Sequence, residues 1–155
     1  MRHTSDKFDL DSWRKLLHTH SNFSTTEDCD EFEKLLAIAE NNMSKEVATE
    51  LLKTFSDADD FGIQENTRNI LESSEKSIFY PALLDEIKEI SERSPEKRWD
   101  MTLIGIELYS GHFNTLLDTA LRAKEPQRDT FFKIIISEEF LNNYPEVRKF
   151  SHRIP

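Results

Sequence analysis

With 155 residues, 37% apolar side chains and 11 phenylalanines, the chain has the length of one domain and material for a core that removes roughly two-thirds of its unfolded surface from water. Three glycines, five prolines and one cysteine argue against a β-sandwich, which needs a turn every roughly 8–12 residues, and exclude an internal disulfide framework. A net charge of −10 sets the field against nucleic-acid phosphates and anionic lipid and in favour of cationic partners.

Helical periodicity runs nearly throughout. Phe8, Leu10, Trp13, Leu16 and Leu17 predict a first helix, with Asp9 or Asp11 as its cap. Phe32, Leu35, Leu36 and Ala39 form the stripe of a second, opened by the acids of 27–31 and closed at Asn41-Asn42. Ser44 stands where it caps a third, carrying Val47, Ala48, Leu51, Leu52 and Phe55. The segment from Ser56 to Asp60 reads as a turn, and Ile63, Thr67, Ile70 and Leu71 mark a fourth helix beyond it.

Pro81 fits the first turn of the next helix, where its missing N–H is not needed, and Leu83, Leu84, Ile87 and Ile90 follow. Ser94-Pro95-Glu96 is the clearest start signal: a capping serine, a proline at the first helical position and an acid on the dipole. That helix carries Trp99, Leu103, Ile106 and Tyr109, with Trp99 and Tyr109 expected in the core. Gly105 inside it costs about 1 kcal/mol in helix propensity, so it marks a close contact with a neighbouring helix. Phe113, Leu116, Leu117, Ala120 and Leu121 form the next stripe, and Pro126 opens a further helix at its first position. The run Phe131–Ile136 reads as buried helix, because no partner strand is visible, and Ser137 caps a short last helix ending before Pro145. The expectation is a single all-α domain over 1–155, with about eight or nine helices packed as antiparallel hairpins. Two architectures fit, a HEAT-like stack and a compact bundle; Leu51-Leu52 and Leu116-Leu117, with Ile70-Leu71 and Ile135-Ile136 at the same offset of 65, leave a faint repeat.

The charge is not evenly spread. Residues 27–65 hold twelve acids and three bases, a local charge of −9. Solubility needs no such clustering, so the segment is a candidate surface for a cationic partner. Phe61 lies in its acidic turn, where burial is hard, and is a candidate apolar anchor.

No constellation for chemistry emerges. Counted from Asp57, a calcium loop would place Phe61 at its fifth position and Arg68 where a bidentate glutamate is required. His18 and His20 stand two apart, in different directions on a helix, near its frayed end. Cys29 sits between Asp28 and Asp30, whose charges disfavour the thiolate. Nucleophile elbow, phosphate-cradling glycine loop and dinucleotide fingerprint are all absent. The sequence is therefore read as a non-enzyme without metal or cofactor. With no apolar leader at Met1–Phe8 and no apolar run near 18 residues, it is expected to be cytoplasmic, with neither membrane nor nucleic acid as partner.

Glu50 through Gly62, then Ile63 to Ser73 and Phe79-Tyr-Pro-Ala-Leu-Leu-Asp-Glu-Ile87, resemble HEAT-like helix hairpins. Together with small size and acidity, the chain resembles the all-helical immunity proteins of bacterial polymorphic-toxin and contact-dependent growth inhibition systems, over roughly residues 30–120. That resemblance implies a partner: the C-terminal domain of a cognate toxin, a basic nuclease with an RNase favoured, whose active site an acidic surface covers in a 1:1 complex with a monomer. Asp28, Asp30, Glu31, Asp57, Asp59, Asp60, Phe61 and Glu65 are the expected interface, and charge reversal at Asp57, Asp59 and Asp60 is expected to weaken binding. The alternative is a helical-repeat adaptor for an unrelated cationic protein.

Overall fold

The computed structural model describes residues 7–155; Met1–Asp6, with His3 and most of the expected leaderless start, lie outside the described residues. The chain is 72% helix and contains no strand among the described residues. Among the described residues nine α-helices follow in order: α1 (Leu10–Thr19), α2 (Thr26–Glu40), α3 (Lys45–Leu52), α4 (Ile63–Ser73), α5 (Lys76–Arg93), α6 (Trp99–Ser110), α7 (Phe113–Leu121), α8 (Gln127–Ile135) and α9 (Glu138–Asn143). A 3-10 helix over Pro145–Arg153 closes the chain.

Four of the starts are capped as local sequence dictates. Asp9, Thr25, Ser44 and Ser137 sit in extended backbone, and their side-chain oxygens accept from the amides of Ser12, Asp28, Val47 and Phe140. Each satisfies one of the donors that a helix leaves without an internal partner. The expected buried helix holds over Phe131–Ile135, with Phe131 and Ile135 wholly buried, but Ile136 is the C-cap of α8 and stands exposed.

The bundle is organised by α5. It buries Phe79, Tyr80, Ala82, Leu83, Leu84, Ile87 and Ile90 and packs on α3, α4, α6, α7 and α8. In a helical-repeat stack each unit touches only its neighbours; one helix touching five others makes this the compact bundle of the two expected forms. The 65-residue offset does not correspond to equivalent packing, since α7 packs on α8 whereas the helices at the matching offset, α3 and α4, have no comparable contact. Around this hub, α2 joins α1 to α4, and the C-terminal 3-10 helix lies on α9.

Four local expectations are corrected. Pro81 is the sixth residue of α5, not in its first turn, because the helix opens at Lys76. A proline there forfeits one backbone bond and costs about 3 kcal/mol, which burial of the neighbouring Phe79 and Tyr80 rings, about 1.5–3 kcal/mol each, offsets. Ser94-Pro95-Glu96 does not start α6. The Arg98 amide donates to the Ser94 carbonyl at 2.8 Å, closing one turn, but Arg98 then takes φ 51° and the helix begins at Trp99. Pro126 is the cap of α8 and not its first helical residue. Tyr109 is also misplaced: Trp99 is buried, whereas Tyr109 is 58% exposed and its hydroxyl reaches Glu146 at 3.1 Å.

Candidate protein interface

The acidic segment occupies the start of α2, the turn after α3 and the start of α4. α2 packs on α4, and the Asn66 side chain donates to Glu33 at 3.4 Å across that seam. The two acidic stretches, separated by thirty residues of sequence, are thereby brought side by side.

The eight candidate residues divide by what holds them. Asp60 is buried, 8% exposed; its carboxylate accepts from the Gly62 amide at 3.1 Å and the Gln64 amide at 2.7 Å. It thus caps α4, whose N-cap, Gly62, has no side chain to do so. Asp57 accepts from the amides of Glu96, at 3.2 Å, and Lys97, at 2.8 Å, and so ties the acidic turn to the α5–α6 junction. Asp28 meets His20 Nδ1 at 2.8 Å and accepts from Ser24 Oγ at 2.9 Å. Those hydrogen bonds, His20's first, hold its carboxyl below the usual carboxylate range. These three acids have structural tasks.

The other five face solvent. Asp30 is exposed and meets no cation within ion-pair distance. Glu31 pairs with Lys34 at 2.9 Å, whose hydrogen bond lowers the carboxyl's pKa, and Glu65 pairs with Arg68 at 3.1 Å. Asp59 is fully exposed and pairs only loosely with Lys97, at 3.9 Å. Glu33 was missed by the sequence reading, yet helical spacing from Asp30 puts it on the same outer face.

Phe61 is 89% exposed and has φ 55°, followed by Gly62 at φ 89°. With the Ile63 amide donating to the Asp60 carbonyl at 3.1 Å, residues 60–63 form a tight turn with two successive left-handed residues. Asparagine or glycine is the usual first central residue of such a turn, and a bulky aromatic there costs roughly 1–2 kcal/mol. Turn geometry does not call for this phenylalanine, nor does the core.

Burial, and then the charges of Asp28 and Asp30, push the Cys29 thiol up, away from a nucleophilic thiolate. His18 and His20 do point apart, but each has a partner, Glu50 at 2.7 Å and Asp28 at 2.8 Å, which spacing along one helix could not reveal. Among the described residues no group of three or more His, Cys, Asp or Glu side chains is placed to hold a metal ion, and no described helix is long and apolar enough to cross a membrane. Two carboxylates of α6 are wholly buried: Asp100, which pairs with Arg98 at 2.9 Å, and Glu107, which accepts from the Tyr80 hydroxyl and lies 3.6 Å from Lys76. Burial and then Glu107 raise the Tyr80 pKa, so this hydroxyl stays protonated. No protein-family model, no characterised protein and no solved structure matches this chain.

Proposed function

We propose that the chain is a protein-binding module that neutralises a basic toxin domain, a nuclease by the resemblance above, through the α2–α4 face. The observation that carries this reading is Phe61: a large apolar ring held in solvent, in a backbone conformation that disfavours it, among exposed carboxylates. A ring that returns nothing to its own fold is accounted for by a partner that buries it. Carboxylates around such an anchor match a surface that itself holds phosphates. The contact set is Asp30, Glu31, Glu33, Asp59, Phe61 and Glu65, with Asp28, Asp57 and Asp60 supporting it from beneath.

Phe61→Asn separates the two roles of this position, because asparagine suits the turn and removes the anchor. The variant should melt at or above the parent temperature, yet lose at least tenfold in affinity, measured by calorimetry, for the product of the gene immediately upstream, which is where the toxin gene lies in the systems the chain resembles. Unchanged affinity would show that Phe61 is not the anchor.

A further inference from the structure

A second face reverses the sign of the chain. A cleft of about 710 Å³ opens between α5, α7 and the α7–α8 loop, with the start of α3 at its rim. Lys45, Lys76, Arg122 and Lys124 line it, against one acid, Asp85. In a protein of net charge −10, four cations around one cavity are not what surface composition alone would place there. None of these residues belongs to the acidic face, so the inference goes beyond the proposed function and stands without it.

The cations differ in how far they are neutralised. Lys45 meets Asp85 at 3.0 Å. Lys76 is anchored at the inner side: its ammonium donates to the Glu72 carbonyl at 2.9 Å and lies 3.6 Å from buried Glu107. Arg122 and Lys124 have no carboxylate within ion-pair distance among the described residues, and both are exposed. Two uncompensated charges thus stand over a cavity whose other lining includes Pro81 and Leu84, which are apolar, and the hydroxyl-bearing Thr115. The volume falls within the roughly 300–1,000 Å³ of small-molecule sites, where apolar walls and a few polar groups combine. A guanidinium and an ammonium lining one cavity fit an oxyanion group carrying about two negative charges.

We propose that this cleft binds a small organic dianion, a phosphate monoester or a dicarboxylate, with its charge on Arg122 and Lys124 and its apolar body against Pro81 and Leu84. The test uses the full chain, labelled for NMR and titrated with phenyl phosphate, phthalate and uncharged benzyl alcohol. Phenyl phosphate, phthalate or both should shift amides of α5 and the α7–α8 loop, saturating below about 10 mM. Saturation by phenyl phosphate alone assigns a phosphate ligand, and by phthalate alone a dicarboxylate. The double variant Arg122→Gln/Lys124→Gln, altered only at exposed side chains, should keep the parent spectrum elsewhere and bind at least tenfold more weakly. Absence of saturable shifts, unchanged affinity in the double variant, or benzyl alcohol binding as tightly as the anions would each overturn the proposal.

Discussion

A methyl group added at Gly105 would stand 2.4 Å from the Tyr144 ring, inside the van der Waals limit. Helix propensity alone favours alanine there by about 1 kcal/mol, so propensity and packing predict opposite signs. Packing wins, because the ring lies between Tyr109 and Phe140, with centroids at 6.3 and 4.9 Å, and has little room to yield. Gly105→Ala should destabilise the protein by about 1–3 kcal/mol in thermal unfolding, and Tyr144→Leu in the same chain should recover much of the loss. The glycine was legible as a close contact; that a tyrosine after α9 makes it was not, since the two residues stand thirty-nine apart in sequence.

Elements are joined at their ends by charged side chains reaching the backbone of other elements. Arg93, the last residue of α5, donates to the carbonyls of Leu52 and Phe55, both at 3.1 Å, and so satisfies acceptors left open where α3 ends. Asp57 does the reverse for the amides before α6, and Asp57→Ala should cost about 1–2 kcal/mol in urea unfolding although its side chain lies at the surface. At the other edge, α1 docks through Trp13, whose Nε1 donates to the Leu35 carbonyl at 3.0 Å, and through His18 on Glu50. Burial by itself would raise the Glu50 pKa, but hydrogen bonds from His18 and then Lys53 more than offset it and hold the carboxyl below its ordinary 4.5. A carboxyl with a depressed folded pKa stabilises the fold above its ordinary value and loses that contribution as pH falls through the folded one. The melting temperature of Glu50→Gln should therefore lie well below the parent's at pH 7 and approach it as pH drops below about 4.5. A gap that stayed constant with pH would assign the loss to packing instead.

For the whole molecule, the charge on residues 27–65 defines a face only because α2 and α4 are packed together. Its acids are not equivalent, and this changes the mutations that test it. Reversal at Asp57 and Asp60 would strip backbone amides of their acceptors and confuse binding with folding. Reversal at the exposed Asp30, Asp59 and Glu65 should leave the melting temperature within a few degrees. Association with the basic partner should then slow by an order of magnitude or more at low salt, with the gap closing as ionic strength rises and the Debye length falls to about 8 Å at 0.15 M. Stopped-flow kinetics at several salt concentrations would check it. Equal rates for parent and variant would remove the acidic face from the mechanism.

Helix number and type, three of the caps (Asp9, Ser44 and Ser137), the helix break at 56–60 and the exposure of Phe61 were legible in the chain itself. They rest on interactions within a few residues: side-chain period, capping oxygens, and an aromatic among acids. Where the signal was local but its outcome depended on distant groups, it misled. Ser94-Pro95-Glu96 has the composition of a helix start, yet Asp57, thirty-nine residues earlier, takes the Glu96 amide. Tyr109 has the spacing of a core residue, yet the core side of α6 is filled without it. The acidic face needed both levels. Composition located its charge, and tertiary packing assigned Asp28, Asp57 and Asp60 to the fold while leaving Asp30, Asp59, Phe61 and Glu65 in solvent. The cationic cleft was invisible to sequence because Lys45, Lys76, Arg122 and Lys124 meet only where three separate helices and a loop converge. Short-range energetics set the elements of this protein; the use of each charge was decided by which backbone groups the bundle left without partners.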